Sequence, residues 1–408
     1  MAFFNFDQTR FNVMIPEMDI FKKLIQLLEA NNFWTEFFEK QSLFVSETGL
    51  NINFTIERFE ELLWSQEQYL EGKVDVNLKG DSLVYKKKEA GKDRFRWLMD
   101  RYQEGGTIIF NGIDEIDKQL AEMARSLDVI FRGRTSVNAF LTPPNSSGFL
   151  PHFDTHDVFI LQTGGEKHWQ LYEKQLELPL DRQIYLVDQE TIGKPIETHH
   201  LKQNDLLYIP RGLIHGAFTE DAYSLHLTVG VRPLLKVEYL KTMLDAIAEE
   251  DTEFRKSMLN DEQTQLPELV RKIEEHINNA YFKKRTDTIL KINNQSKTKP
   301  PPGHHIANIH KVGELKIDSL LKKAYSGKGF IEYHLDKIRL YYPGVGFSGN
   351  DEVQQGFIEY DSIHFGAINF IISQESAFRA KDIPDIYPNE TKLMLVEKLI
   401  CEGYLKFI

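Results

Sequence analysis

The chain has one cysteine, Cys401, in 408 residues. A lone thiol closes no intrachain disulfide and builds no thiolate cage. A reducing compartment is therefore expected. Positive charge is also scarce: 49 Lys and Arg stand against 61 Asp and Glu, a formal net charge of -12. That sign gives no general hold on a phosphate backbone. It argues against nucleic acid as a partner and favours a neutral or basic protein or peptide. Long hydrophobic runs are missing too. No uncharged apolar stretch reaches the 18 or so residues that a membrane span needs. The opening MAFFNFD has neither the basic region nor the sustained apolar core of a signal peptide. A soluble cytoplasmic protein with no membrane partner is the expectation.

What is present divides by rhythm. The first hundred residues read as mixed and mostly helical, with apolar residues at helical spacing over 19–30 and again over 55–69. A short buried strand is expected within 105–112 and an amphipathic helix over 115–127. From residue 136 to 231 the pattern changes to short strands with Gly and Pro punctuation: VNAFLT, HDVFILQT, KHWQLY, DLLYIP and SLHLTVGV. Strands at this spacing predict an all-β sandwich or barrel, with Phe159, Leu161, Trp169 and Leu171 filling it. Residues 239–281 return to helix, and Leu240, Met243, Leu244 and Ile247 form a stripe at i, i+3, i+4 and i+7. KTKPPPGHH (297–305) reads as a linker. Beyond it, 306–408 predicts a small α+β domain ending in a helix over 390–402, a stop at Gly403 and a strand over 404–408. From residue 304 onward there are 12 Lys and Arg against 14 Asp and Glu, so that end has no basic face for DNA.

Chemistry concentrates in the β region. His152-Phe153-Asp154 is followed 63 residues later by His215, in the run IPRGLIH. On a strand, residues i and i+2 project from the same face. A distant histidine can complete a three-point site if the strands close into a barrel. Two imidazoles and one carboxylate leave metal positions open and suit non-haem Fe(II). A hydrogen-bonded interior His/Asp pair is the alternative, but the turn at Pro210-Arg211-Gly212 favours a metal. His156 shares the parity of the pair, so alternation alone does not exclude it. Lys167 shares a face with Trp169 and Leu171, after an expected turn at Thr163-Gly164-Gly165. A fixed cation there can take the distal carboxylate of a small diacid. Ser224, His226, Thr228 and Gly230 alternate with Tyr223, Leu225, Leu227 and Val229, which suggests a site lining; a solvent-facing edge strand is the alternative. Arg211, Asp157 and Tyr172 either touch a substrate or lie on the surface.

NAFLTPPNSSGFLPHFDTHDVFILQTGGEKHWQLY (138–172) and LLYIPRGLIHGAFTEDAYSLHLTVG (206–230) resemble the ribosomal-oxygenase branch of the JmjC-type oxygenases. The resemblance implies an α+β protein with a double-stranded β-helix core of the jelly-roll cupin type. A helical dimerisation region and a C-terminal winged-helix-like domain would follow. The implied boundaries are 1–235 with its core at about 136–231, then 236–296, then 306–408. The implied activity is hydroxylation of a side-chain carbon of a protein or peptide by Fe(II), 2-oxoglutarate and O2, with succinate and CO2 as coproducts; the acidic charge balance makes a basic segment the expected target. His152, Asp154 and His215 fall on the family's iron ligands, and His156 on a position that is not a ligand. Lys167 and Asn138 fall on cosubstrate contacts, with Thr228, His226 and Ser224 lining the same pocket. Phe140 stands where relatives often have a tyrosine, which moves the hydrogen bond to Thr228 or Lys167. The helical region implies a homodimer. Removal of N-methyl groups from lysine uses the same chemistry and is an alternative, as is hydroxylation of a biosynthetic precursor peptide or free amino acid. A non-enzymatic cupin scaffold is the alternative from another class.

Overall fold

The computed structural model describes residues 19–65, 72–86, 93–184, 187–257, 266–296, 305–324, 329–342, 357–374 and 376–408. The chain divides into two compact units, one running to Pro233 and the other from Leu234.

The first unit contains strands β1 (Leu43–Val45), β2 (Val74–Leu78), β3 (Asp81–Val84), β4 (Thr107–Phe110) and β5 (Arg134–Thr142). β6 (Asp157–Leu171), β7 (Glu197–Lys202), β8 (Leu206–Ile209), β9 (His215–Phe218) and β10 (Ser224–Arg232) follow. The large sheet runs β1-β8-β6-β10-β5-β4-β2-β3, while β7 and β9 flank the second half of β6. All these pairings are antiparallel. A small sheet thus arises from the large one and gives a jelly-roll arrangement.

β6 differs from the expectation. The two strands foreseen on either side of Thr163-Gly164-Gly165 are one strand of 15 residues. Opposite it the register shifts between Leu225 and His226, and Gly165 takes φ +61°. A Cβ on Gly165 would lie 1.8 Å from the Tyr223 carbonyl oxygen, so only glycine allows the bend. The Gly-Gly pair turns the strand from one sheet into the other without reversing it.

The expected interior set is likewise divided. Phe159 and Leu161 pack on the outer face of the large sheet, in a cluster with Phe33, Leu127 and Phe131 from the helices. Trp169 and Leu171 belong with Val158, Ile160, Leu201, Leu207, Ile209 and Leu213 between the sheets. Alternation explains this: odd residues in the first half of β6 face outward, and the bend brings the odd residues of the second half inward. The helices covering the outer face are Asp19–Ala30, Ile56–Ser65 and Lys118–Phe131. The last begins three residues later than expected, because the Asp117 side chain accepts from Gln119 and Leu120 N–H and caps it there. Residues 66–69 of the second expected helix lie outside the described residues.

The second unit opens with helices Lys236–Glu250, Leu266–Ile277 and Ala280–Ser296. Met243 and Ile247 pack with Phe282, whereas Leu240 and Leu244 of the same stripe are exposed. The foreseen linker residues 297–304 lie outside the described residues. The remainder has helices His305–Lys311, Phe365–Ser373 and Asn389–Cys401, with strands β11 (Leu320–Lys323), β12 (Phe330–His334), β13 (Lys337–Tyr341), β14 (Phe357–Asp361), β15 (Phe378–Arg379) and β16 (Leu405–Phe407). They form two three-stranded sheets, β15-β11-β16 and β12-β13-β14. Val396, Leu399 and Ile400 are buried, and Gly403 at φ +79° ends the last helix. An Arg285–Glu332 ion pair of 2.7 Å joins the helical segment to β12. Among the described residues no helix is long and apolar enough to cross a membrane.

Candidate metal and cosubstrate site

His152, Asp154 and His215 converge, with one ligand atom from each lying within 4.8 Å of the others. Among the described residues this is the one group of such side chains that could hold a metal ion. Their segments are stitched through the backbone. His152 N–H donates to His215 O at 3.0 Å, and His215 N–H returns the bond to His152 O at 2.8 Å. Gly212 N–H donates to Asp154 O at 2.9 Å. The strand expected to carry His152 and Asp154 is only this bridge; Phe153 and Asp154 are irregular.

Both imidazoles are oriented by carbonyls. His152 Nδ1 lies 2.8 Å from Leu150 O, and His215 Nδ1 lies 3.0 Å from Leu213 O. A carbonyl only accepts, so each Nδ1 carries the proton and each Nε2 keeps a free lone pair. Burial, helped by the nearby His152, pushes the His215 pKa down to about 4, so at neutral pH the ring is an uncharged ligand. At Asp154 burial opposes ionisation, but attraction from His156, His215, His152 and Arg232 outweighs it, and the carboxyl lies below its ordinary range. His156 stands outside the triad, with its ring over Gly230 and Nδ1 3.4 Å from Arg232 Nη2.

Beside the triad lies a buried cation. Lys167 is 3% exposed and donates from Nζ to Thr142 Oγ1 at 2.9 Å. Thr142 Oγ1 is 3.0 Å from Thr107 Oγ1. No carboxylate pairs with Lys167 among the described residues, and burial pushes its pKa down to about 7. The Lys167 ammonium lies 5.9 Å from the Trp169 ring centroid, and Trp169 lies 6.0 Å from the His215 ring, so lysine and triad share one interior.

β10 runs between β5 and β6, not at an edge, and its polar face lines this interior. His226 stacks on Phe140 with ring centroids 5.0 Å apart and planes at 3°. Burial first, then the Lys167 charge, hold its pKa well below the ordinary value. Ser224 is fully buried and accepts from Gln162 Nε2 at 3.0 Å. Half-buried Thr228 is the register partner of Asn138, whose Oδ1 accepts from Gly112 N–H at 2.9 Å. Three buried polar atoms here have no protein partner: Trp169 Nε1, His226 Nδ1 and Gln162 Oε1. The Trp169 and His226 ring nitrogens can donate, and beside a lone buried ammonium they fit a polar anionic ligand, whereas Gln162 Oε1 can only accept.

The surface reading of Arg211, Asp157 and Tyr172 does not hold. Arg211 and Asp157 are buried in an ion pair of 2.8 Å, and Tyr172 packs with Phe153, Val187 and Ile214. Sequence reasoning missed Thr142, although it shares the parity of Asn138 and Phe140 on β5, and treated Trp169 as core alone.

A family profile described as a JmjC domain matches residues 113–239. "Ribosomal oxygenase 1" of Danio rerio is 30% identical over 258 residues, 59% of this chain and 46% of that protein. "Ribosomal oxygenase 2" of Mus musculus is 34% identical over 221 residues, 51% of this chain and 46% of that one. "Bifunctional lysine-specific demethylase and histidyl-hydroxylase NO66" of Dictyostelium discoideum is 30% identical over 249 residues, 58% and 48% of the two chains. This chain thus spans about half the length of these relatives. Among solved structures, the ribosomal oxygenase YcfD from Escherichia coli, in complex with cobalt and 2-oxoglutarate, aligns with a TM-score of 0.56 at 19% identity. That alignment covers 93% of this chain and 98% of that one. With the jelly roll and the His-Asp-His cluster already in place, residues 113–239 match a JmjC domain, and the chain is similar to the ribosomal oxygenases.

Proposed function

We propose that this chain is an Fe(II)- and 2-oxoglutarate-dependent oxygenase that hydroxylates a side-chain carbon of a protein or peptide. The observation that carries the reading is one interior holding both a His-Asp-His cluster and a buried lysine with no carboxylate of its own. His152, Asp154 and His215 would hold the iron through two Nε2 atoms and a carboxylate oxygen. Lys167, steadied by Thr142, would take the distal carboxylate of 2-oxoglutarate. Trp169 Nε1 offers a further donor, and Asn138, Thr228, His226 and Ser224 line the remaining wall. Bound together, Fe(II), 2-oxoglutarate and O2 supply the oxidising power for C–H hydroxylation, with succinate and CO2 released. The protein contributes selectivity: it fixes both imidazole tautomers, keeps water from the Lys167 end and orients the cosubstrate.

The net charge of -12 supports a basic substrate segment. The exposed Leu240 and Leu244 support a homodimer built on the 236–296 helices, with 1–235 as the catalytic part and 306–408 as a winged-helix-like accessory part. A cytoplasmic location fits the single cysteine. Demethylation of N-methyl-lysine is the second reading, favoured by the double activity that names one relative.

The test is to supply the Fe(II)-loaded protein with 2-oxoglutarate, O2 and a panel of ribosomal proteins and small peptides. Succinate release and the gain of one oxygen mass in a peptide support hydroxylation. Loss of methyl groups from a methylated peptide supports the second reading. Succinate at background with no mass change across the panel favours a non-enzymatic cupin.

A further inference from the structure

Behind the triad lies a polar network that the chemistry above does not use. Arg211 is buried, and its guanidinium is shared between two carboxylates. Nη1 donates to Asp157 Oδ2 at 2.8 Å, and Nη2 donates to Glu39 Oε1 at 2.6 Å. Asp157 is wholly buried; its Oδ1 accepts from Tyr208 OH at 2.7 Å and, more weakly, from Arg211 N–H at 3.4 Å. Tyr208 OH in turn accepts from Glu39 N–H at 3.0 Å. Glu39 reaches this position at φ +61°, just after the π-helical turn Phe33–Phe37. Phe33 of that turn packs edge-on against Tyr208 at 4.7 Å.

The location matters more than the contacts. Asp157 lies three residues after Asp154. Arg211 lies four residues before His215, and it precedes Gly212, whose N–H holds the Asp154 carbonyl. The ion pair therefore ties together the two segments that carry all three triad residues. For stability alone it is a poor choice, because the desolvation of two buried charges offsets much of their attraction, and apolar pairs of similar volume often serve as well. The β6–β8 ladder already joins the same strands through Val158–Ile209 and Phe159–Tyr208. Past the ladder's end the segments meet through the Gly212–Asp154 and His152–His215 backbone bonds, and the ion pair braces the stretch between the ladder and those ligand-bearing ends.

We infer that Asp157, Arg211 and Glu39 are positioning residues for the metal centre, fixing the separation of the Asp154 and His215 arms. They act through the ligand segments and touch neither metal nor substrate. The N-terminal π-helical turn, far away in sequence, becomes part of the site's support, since Glu39 secures the outer side of the guanidinium. This rests on the reading of the triad as a metal site.

Co(II) titration of the full-length protein tests it without turnover, because the visible ligand-field bands of Co(II) report coordination geometry. The variants are Glu39→Gln, Asp157→Asn and the double replacement Asp157→Leu with Arg211→Met, which leaves no unpaired buried charge. Supporting partners of ligands typically set metal affinity within about ten- to a hundredfold. A Co(II) dissociation constant raised by about that factor, with altered bands, is expected in Asp157→Asn and in the double variant, and a smaller rise in Glu39→Gln. The double variant also leaves the buried Tyr208 hydroxyl without its acceptor, so a modest drop in its metal-free melting temperature is expected. Should it fail to fold, Asp157→Asn, which keeps the shape of the side chain, gives the same reading. Wild-type affinity and bands in folded Asp157→Asn or folded double variant overturn the inference while the metal reading stands. A wild-type protein that binds no Co(II) overturns the metal reading and this inference with it.

Discussion

Replacement of Lys167 by methionine should stabilise the ligand-free protein at neutral pH while removing its hold on 2-oxoglutarate. The Lys167 amine releases its proton near pH 7 in the fold and at its ordinary 10.5 in the unfolded chain. Between those values the unfolded state binds more protons, so the wild-type fold gains stability as pH rises from about 7 towards 10.5. At about 1.4 kcal/mol per unit, burying this lysine costs on the order of 4 kcal/mol at pH 7 and on the order of 2 kcal/mol at pH 9. The lost bond to Thr142 returns about 1 kcal/mol of that. Urea unfolding of the ligand-free proteins between about pH 6.5 and 9.5 should show Lys167→Met ahead at the acid end and the gap closing as pH rises. A bound carboxylate reverses the balance by favouring the charged amine. Binding of 2-oxoglutarate to wild type should take up protons at neutral pH, and its affinity should fall as pH rises above about 7. A methionine variant less stable than wild type at pH 7, or a stability gap that ignores pH, refutes the reasoning.

The other expectations are simpler. Asp154→Ala should lose Fe(II) and Co(II) binding yet keep its far-ultraviolet circular dichroism, because the clusters around Phe159 and around Trp169 do not depend on that side chain. Retained binding would remove Asp154 from the metal site. Leu240→Asp combined with Leu244→Asp should turn a dimer into a monomer in light scattering, because both side chains are exposed while Met243 and Ile247 already pack on Phe282. A monomeric wild type at micromolar concentration sinks the dimer.

Much of this structure could be read from the chain, and the misses have a common cause. The helix over Asp19–Ala30 appears where its apolar spacing placed it, and the alternation along β10 separated the core face from the interior lining because period two survives on a central strand. Gly164-Gly165 was read as a turn, since local rules recognise positive φ but not whether the chain reverses or bends; that depends on β10 and on Tyr223. Arg211 looked like a surface residue because its partners lie 54 and 172 positions away. Thr142 ends a strand and carries no motif, so only the approach of Lys167 gave it a role. The stripe at 240–247 split because one neighbouring helix covers half of it.

The reciprocal backbone bonds between His152 and His215 have a consequence for assembly. The loop they close spans 63 positions, and its closure entropy must be met before either bond forms. A chain emerging during synthesis cannot build the cluster until β9 has been added and has found its place, so no fragment ending before His215 offers the proposed metal site. Metal uptake at the proposed site then reports that the two ligand arms have met. An ion taken up by the assembled cluster and not by its precursors shifts the folding equilibrium by mass action, so chelation should lower the apparent stability of the native protein.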